Sequence, residues 1–111
     1  MNYSRGEKVW VKFPFSDSAT IKLRPALVIS NNLINRTGDY LLMQITSRLR
    51  NDELSLQIKD NDYSGTPLLR PSELRLHKIF ILNEILIESG ITIVSPGFMK
   101  IVTAGLMKLI E

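Results

Sequence analysis

Along most of the chain, apolar residues either alternate with polar ones or run unbroken for a few positions between turn formers. Glu7-Lys8-Val9-Trp10-Val11-Lys12-Phe13 alternates with period two. That predicts a half-buried strand with Val9, Val11 and Phe13 on one face and Trp10 beside Lys8 and Lys12 on the other. Pro14 ends it, and Phe15 to Leu23 reads as a loop with Ser16, Asp17 and Ser18 as turn formers. Ala26 to Ile29 is an unbroken apolar run and predicts a buried strand. Pro25 has no N–H for a ladder and so belongs at that strand's first position. It also holds Arg24 in extended backbone at the strand's lip. Asn31 to Asp39 is turn-rich, with room for one helical turn before Gly38.

The next core strand is Tyr40–Thr46, and Arg48 to Asp52 is a charged connector. Glu53 to Lys59 alternates, with Leu54, Leu56 and Ile58 inward, and Asp60 to Gly65 is a turn cluster. Ser72–Leu82 reads as a long strand with Leu74 and Leu76, then Ile79 and Ile81, inward across a bend. Asn83–Ile87 is read as a helical turn and Gly90–Val94 as a last strand. Ser95-Pro96 is a helix start signal, serine as cap and proline in the first turn. The predicted helix runs from Pro96 to Ile110 with Phe98, Val102, Leu106 and Leu109 on one stripe. Several short strands closed by one helix predict a mainly β fold: a small antiparallel β-barrel with a C-terminal α-helix, barrel closure removing the sheet edges.

Composition changes this picture little. A chain of 111 residues with 44% hydrophobic and 23% charged residues fits one domain, 1–111, with a single core. There is no cysteine, so disulfides, zinc–thiolate sites and thiol nucleophiles are excluded. The N-terminal residues lack the apolar stretch of a signal peptide, and no run is long enough to cross a membrane. A cytoplasmic location and no membrane partner are expected. Charge adds more. Residues 1–50 carry eight Lys/Arg against three acids, whereas residues 51–111 carry six against eight. A basic half suits a polyanion, though it also describes an ordinary solvated surface.

The candidate chemistry is narrow. His77 is the only histidine, and a lone strand histidine is more often structural or at the surface than catalytic. No His/carboxylate spacing fits a metal, and no Gly-rich phosphate loop is present. Neither metal nor cofactor is expected. What remains is a set of arginines and hydroxyls at strand ends: Arg24, Thr46, Ser47, Arg48 and Arg70. Arg70 precedes Pro71 as Arg24 precedes Pro25. Guanidinium groups bind phosphate through paired hydrogen bonds, and a hydroxyl adds a donor. Such a cluster suits a phosphodiester and the negative charge that builds up as it breaks. The same arginines could instead cap loops or pair with acids.

At these residues the chain resembles the MazF/PemK toxins of bacterial toxin–antitoxin systems. The matching stretches are Gly6-Glu7-Lys8-Val9-Trp10-Val11, Phe13-Pro14-Phe15-Ser16-Asp17, Arg24-Pro25-Ala26-Leu27-Val28-Ile29-Ser30 and Ile45-Thr46-Ser47, with weaker similarity over Leu69–Phe80 and at Ser95-Pro96. The resemblance implies an SH3-like barrel, usually homodimeric, and a metal-independent endoribonuclease that cuts single-stranded RNA at short sequences. It also implies a cognate antitoxin whose extended tail covers the RNA groove. The family's essential arginine falls on Arg24, its threonine on Thr46, and a second arginine, active in some members, on Arg70. Ser72 stands where some members have an aspartate, and the first loop lacks the histidine that others carry.

Cleavage would then use RNA's own 2′-OH and leave 2′,3′-cyclic phosphate and 5′-OH ends, with Arg24 on the phosphate, Thr46 aided by Ser47, and Arg70 nearby. Glu73 is a guess for the base. Lys12, Ser16, Lys22, Arg48 and Arg50 would contact RNA, and Phe15 either stacks on a base or anchors its loop in the core. Two other readings stay open: a CcdB-like toxin that binds DNA gyrase and catalyses nothing, and a nucleic-acid-binding barrel without cleavage.

Overall fold

Each alternating stretch becomes a strand because period two sends one set of side chains to each face of a sheet. The computed structural model describes residues 2–14, 21–68 and 70–111. Its strands are β1 (Glu7–Pro14), β2 (Ile21–Val28), β3 (Asp39–Thr46), β4 (Ser55–Ile58), β5 (Ser72–Asn83) and β6 (Ile87–Ile93). A helical turn, α1 (Asn32–Asn35), precedes β3, short 3₁₀ turns cover Asp60–Asp62 and Glu84–Leu86, and helix α2 spans Pro96–Ile110. The six strands form one antiparallel sheet in the order β4-β5-β3-β2-β1-β6.

Both faces of this sheet are buried, over different parts of its length. One core joins Leu27, Met43, Ile45, Ile58, Leu74 and Leu76 to Val94 and to Phe98, Met99 and Val102 of α2. The helix starts where the sequence marks it. The Ser95 hydroxyl oxygen accepts the Phe98 N–H at 3.1 Å, and Pro96 stands in the first turn. The other core holds Tyr3, Val9, Val11, Ala26, Val28, Tyr40, Leu42 and Ile87. There Phe13 and Phe80 meet edge to face with centroids 5.3 Å apart.

Closure is incomplete. Among the described residues β4 and β6 do not pair as strands, and the ends of the sheet meet at one bridge, Tyr63↔Val94. The N–H groups of Ser64 and Gly65 also donate to the Ile93 carbonyl, at 3.0 and 3.1 Å. The expected mainly β, antiparallel barrel-like fold with a C-terminal α-helix is therefore present, with its sheet not fully closed.

Three further expectations change. β2 begins at Ile21, so Pro25 lies inside the strand and not at its first position. The ladder explains the tolerance. Pro25 pairs with Trp10 of β1, whereas pairing with β3 starts only at Ala26↔Gln44. From Ile21 to Pro25, β2 has β1 as its only strand partner among the described residues, and a proline fits a strand on such an edge. Ile81, expected inward, is 62% exposed. Leu109, expected on the buried stripe of α2, is 43% exposed.

Candidate functional site

β3 divides lengthwise. Tyr40 and Leu42 are fully buried in the second core, while Gln44 and Thr46, next on the same face, emerge from it. The register explains the change. Tyr40 to Met43 pair with β5 from Leu82 back to Ile79, then pairing jumps to Ile45↔Leu74 and Thr46↔Glu73. Between these blocks β3 supplies only Gln44, whereas β5 supplies Arg75, Leu76, His77 and Lys78. Such a bulge bends the longer strand and redirects its side chains. Leu76 stays in the core, while Arg75, His77 and Lys78 line a hollow of about 430 Å³ with Gln44, Thr46 and Arg50.

Thr46 is half-buried on the floor of this hollow. Its Oγ1 accepts the Arg48 N–H at 3.0 Å, which fixes the oxygen and leaves the hydroxyl proton to donate elsewhere. On the β2 side, extending the Ala26↔Gln44 register by two residues sets Arg24 across from Thr46 on the same face. Arg24 pairs with Val11 of β1 and its side chain is exposed. The ladder between β2 and β3 ends at Ala26↔Gln44, so no strand pairing joins the two residues among the described ones.

On the β5 side of Thr46 stands Glu73, 1% exposed. Its carboxylate accepts the N–H groups of Arg50 and Asn51 at 2.9 and 3.2 Å. Burial opposes its ionisation, but those two bonds, a hydrogen bond with Ser55 and the nearby Arg75 outweigh it and hold the carboxyl below the usual glutamate range. Asn51 has φ of 50°, a left-handed geometry that asparagine tolerates better than most residues. Glu73 thus fastens the β3–β4 connector at its tightest turn and sets the backbone of Arg50. A carboxylate so engaged is a poor choice for the base, which corrects the earlier guess.

Arg75 is buried as well. It donates to Asp52 at 2.9 Å and to the Ser55 hydroxyl at 2.5 Å. The hydrogen bond from Arg75 holds the Asp52 carboxyl below its ordinary value. Arg75 therefore braces the wall of the hollow. The Arg50 guanidinium and Lys78 are exposed, and neither makes a side-chain bond among the described residues.

The remaining expected residues scatter. Lys22 shares the Arg24 face and is exposed. Lys12 lies across from Leu23 on the opposite face and pairs with Glu88 at 3.3 Å. Ser47 and Arg48 are exposed on the connector, and Arg70 is exposed before β5; none of the three lines the hollow. Phe15 and Ser16 lie outside the described residues. Gln44, Arg75 and Lys78 were not singled out in the sequence as site residues, and His77 was weighed there as structural or at the surface. A signal for the β5 residues existed: its inward positions run 74, 76, then 79, a break in period two that marks a bulge. Among the described residues, no three His, Asp or Glu side chains gather as metal ligands would.

The family model of PemK-like, MazF-like toxins of type II toxin–antitoxin systems matches residues 4–110. Among curated proteins none matches the chain. Among solved structures, an endoribonuclease bound to its cognate antitoxin, from a mycobacterial species, superposes with a TM-score of 0.78 at 20% identity. That match covers 96% of this chain and 92% of the other. A chain of the MazE–MazF crystal structure from Deinococcus radiodurans gives 0.78 at 20% identity, covering 98% and 96%. The Mycobacterium tuberculosis toxin MazF-mt6 gives 0.68 at 11% identity, covering 90% and 93%. At these identities the likenesses show a common fold.

Proposed function

The chain belongs to the PemK-like, MazF-like toxins of type II toxin–antitoxin systems, and from that premise we propose that it is an endoribonuclease acting on single-stranded RNA at the Thr46 hollow. What supports this reading is one observation: a hydroxyl and the cationic groups Arg50, Arg75 and Lys78 share one open hollow, with Arg24 on its β2 margin. RNA carries its own nucleophile, so the protein needs only to orient the 2′-OH, neutralise charge and move protons. Arg24 binds the scissile phosphate and stabilises the charge gained as the 2′-oxygen attacks. Thr46 donates its hydroxyl proton to a non-bridging oxygen. Arg50, Lys78 and Lys22 bind flanking phosphates, and the products are a 2′,3′-cyclic phosphate and a 5′-OH. This donor set needs no metal ion.

The relative from a mycobacterial species is bound to its cognate antitoxin, and the Deinococcus structure is a MazE–MazF complex. By the same reading, this chain pairs with an antitoxin whose acidic extended segment occupies the cationic hollow. Ile101, Met107, Leu109 and Ile110 of α2 are each exposed, and this apolar exposure supports self-association as a homodimer.

The test is cleavage of a single-stranded RNA by the purified chain in excess EDTA, with Arg24→Ala and Thr46→Ala beside it. Each variant is expected to lose about 10²–10³-fold in rate, the usual cost of one transition-state donor. Unimpaired cleavage by both, or cleavage that stops in EDTA, overturns the proposal.

A further inference from the structure

Nothing described so far moves the protons of the reaction. Among the residues lining the hollow, Gln44 and Thr46 do not titrate near neutrality, and arginine holds its proton at any pH where RNA survives. An ordinary lysine is also charged at neutral pH. The two carboxylates nearby are engaged: Glu73 on the Arg50 and Asn51 amides, Asp52 on Arg75 and Ser55. The lining side chain of the type that most often serves as a general base is the imidazole of His77.

Its position is built by the bulge. The inward residues of β5 are Leu74, Leu76 and then Ile79, so His77 and Lys78 both occur where regular alternation would allow one outward residue. The extra residue turns the imidazole to the hollow. His77 is exposed, and no hydrogen bond or ion pair among the described residues engages its ring. The charged groups around it are Arg50, Arg75 and Lys78 on the walls, with Arg24 on the β2 margin, Glu73 behind the Arg50 backbone and Asp52 behind Arg75.

We propose that His77 is the general base of RNA cleavage at this hollow. The inference rests on the endoribonuclease reading above. The neutral imidazole takes the 2′-OH proton as the O2′–P bond forms and the P–O5′ bond breaks. The departing 5′-oxygen takes a proton from water. The imidazolium returns its own proton to the resulting hydroxide, so the protein ends as it began and no electrons change hands. The cations hold the phosphate without competing for the proton.

The test compares wild type, His77→Ala and His77→Gln on one single-stranded RNA across pH, with affinity measured separately on the 2′-O-methyl form of that RNA, which cannot be cut. Wild-type kcat/KM is expected to fall about tenfold per pH unit on the acid side. Both variants are expected to lose about 10²–10⁴-fold in kcat and to lose that acid limb, with unchanged affinity for the 2′-O-methyl RNA. Added imidazole should restore part of the His77→Ala rate. Wild-type rate and acid limb in His77→Ala, or a loss matched by weaker RNA binding, overturns the assignment of the base alone. A wild-type chain that cuts no RNA while Arg24 and Thr46 are intact overturns the endoribonuclease reading and this assignment with it.

Discussion

One face of β3 carries two regions of opposite character. Tyr40 and Leu42 lie in a dry core, whereas two and four residues further on Gln44 and Thr46 line an open cationic hollow. The same three strands, β2, β3 and β5, run through both. The difference lies in the ladder. Beside Tyr40 and Leu42 the pairing of β3 with β5 is regular, and Leu42 also faces Val28 of β2. Beside Gln44 and Thr46 the β2 ladder stops at Ala26 and β5 inserts its bulge. Intact pairing lets side chains interdigitate and exclude water. A ladder that ends on one side of the strand and a bulge on the other leave space, and longer polar side chains fill its margin. Stability and proposed chemistry are thus set apart along a single strand by where hydrogen bonding ends.

This contrast can be broken most forcefully in the dry region. Leu42→Ala is expected to cost about 2–5 kcal/mol in urea denaturation, with little change in cleavage per folded molecule. A selective loss of cleavage at unchanged stability would erase the distinction. Glu73→Gln strikes the other region. Two N–H bonds lose their charged acceptor, each such bond being worth roughly 1.5–3 kcal/mol, so both stability and RNA affinity should fall as the connector carrying Arg50 loosens. The sign with pH is definite. The folded carboxyl titrates below its ordinary value of 4.5, so its stabilisation is in force above that pH and is lost as pH falls through the depressed value. Glu73→Gln should lack that acid-side slope.

A third substitution lies outside both regions. Lys8 is fully buried, donates to the Tyr63 hydroxyl at 2.8 Å, and has its pKa lowered by burial from 10.5 to about 8. Below pH 8 the lysine is charged in both states, and its burial opposes folding. Between pH 8 and 10.5 folding releases a proton, so stability rises with pH. Lys8→Met is therefore expected to be more stable than wild type at pH 7, by about 1–3 kcal/mol, with the gap narrowing towards pH 10. Cleavage should not change. The smallest effect is on salt dependence. Lys78→Ala and Arg50→Ala should each reduce the slope of log affinity for single-stranded RNA against log salt by about 0.7, whereas Lys12→Ala, on the opposite face, should leave it unchanged.

The dry region was largely legible in the sequence. Val9 and Val11, Tyr40 and Leu42 alternate as a half-buried sheet demands, and Ser95-Pro96 marks the first turn of α2 through cap chemistry that is local. The hollow was legible only in part. Thr46 and Arg24 stand out as polar groups at the ends of apolar runs, and their common face follows from register. Arg75, His77 and Lys78 did not, because their convergence depends on a three-residue shift between two strands remote in sequence. Pro25 misled for a related reason: its cost in a strand depends on which neighbour is missing, and that is a property of the sheet. Glu73 suggested a base by type, yet its burial and its two amide partners come from a connector folding back on it.

The central claim is that the broken end of this face, and not the intact one, receives RNA. Amide chemical-shift mapping with a short single-stranded RNA carrying 2′-O-methyl groups tests it without cleavage. Shifts concentrated at Gln44, Thr46, Arg50, Arg75, His77 and Lys78 and reaching Arg24, with Tyr3, Val9 and Tyr40 silent, are the predicted result. Saturating RNA that leaves the Thr46 hollow unperturbed while shifting another surface would contradict it.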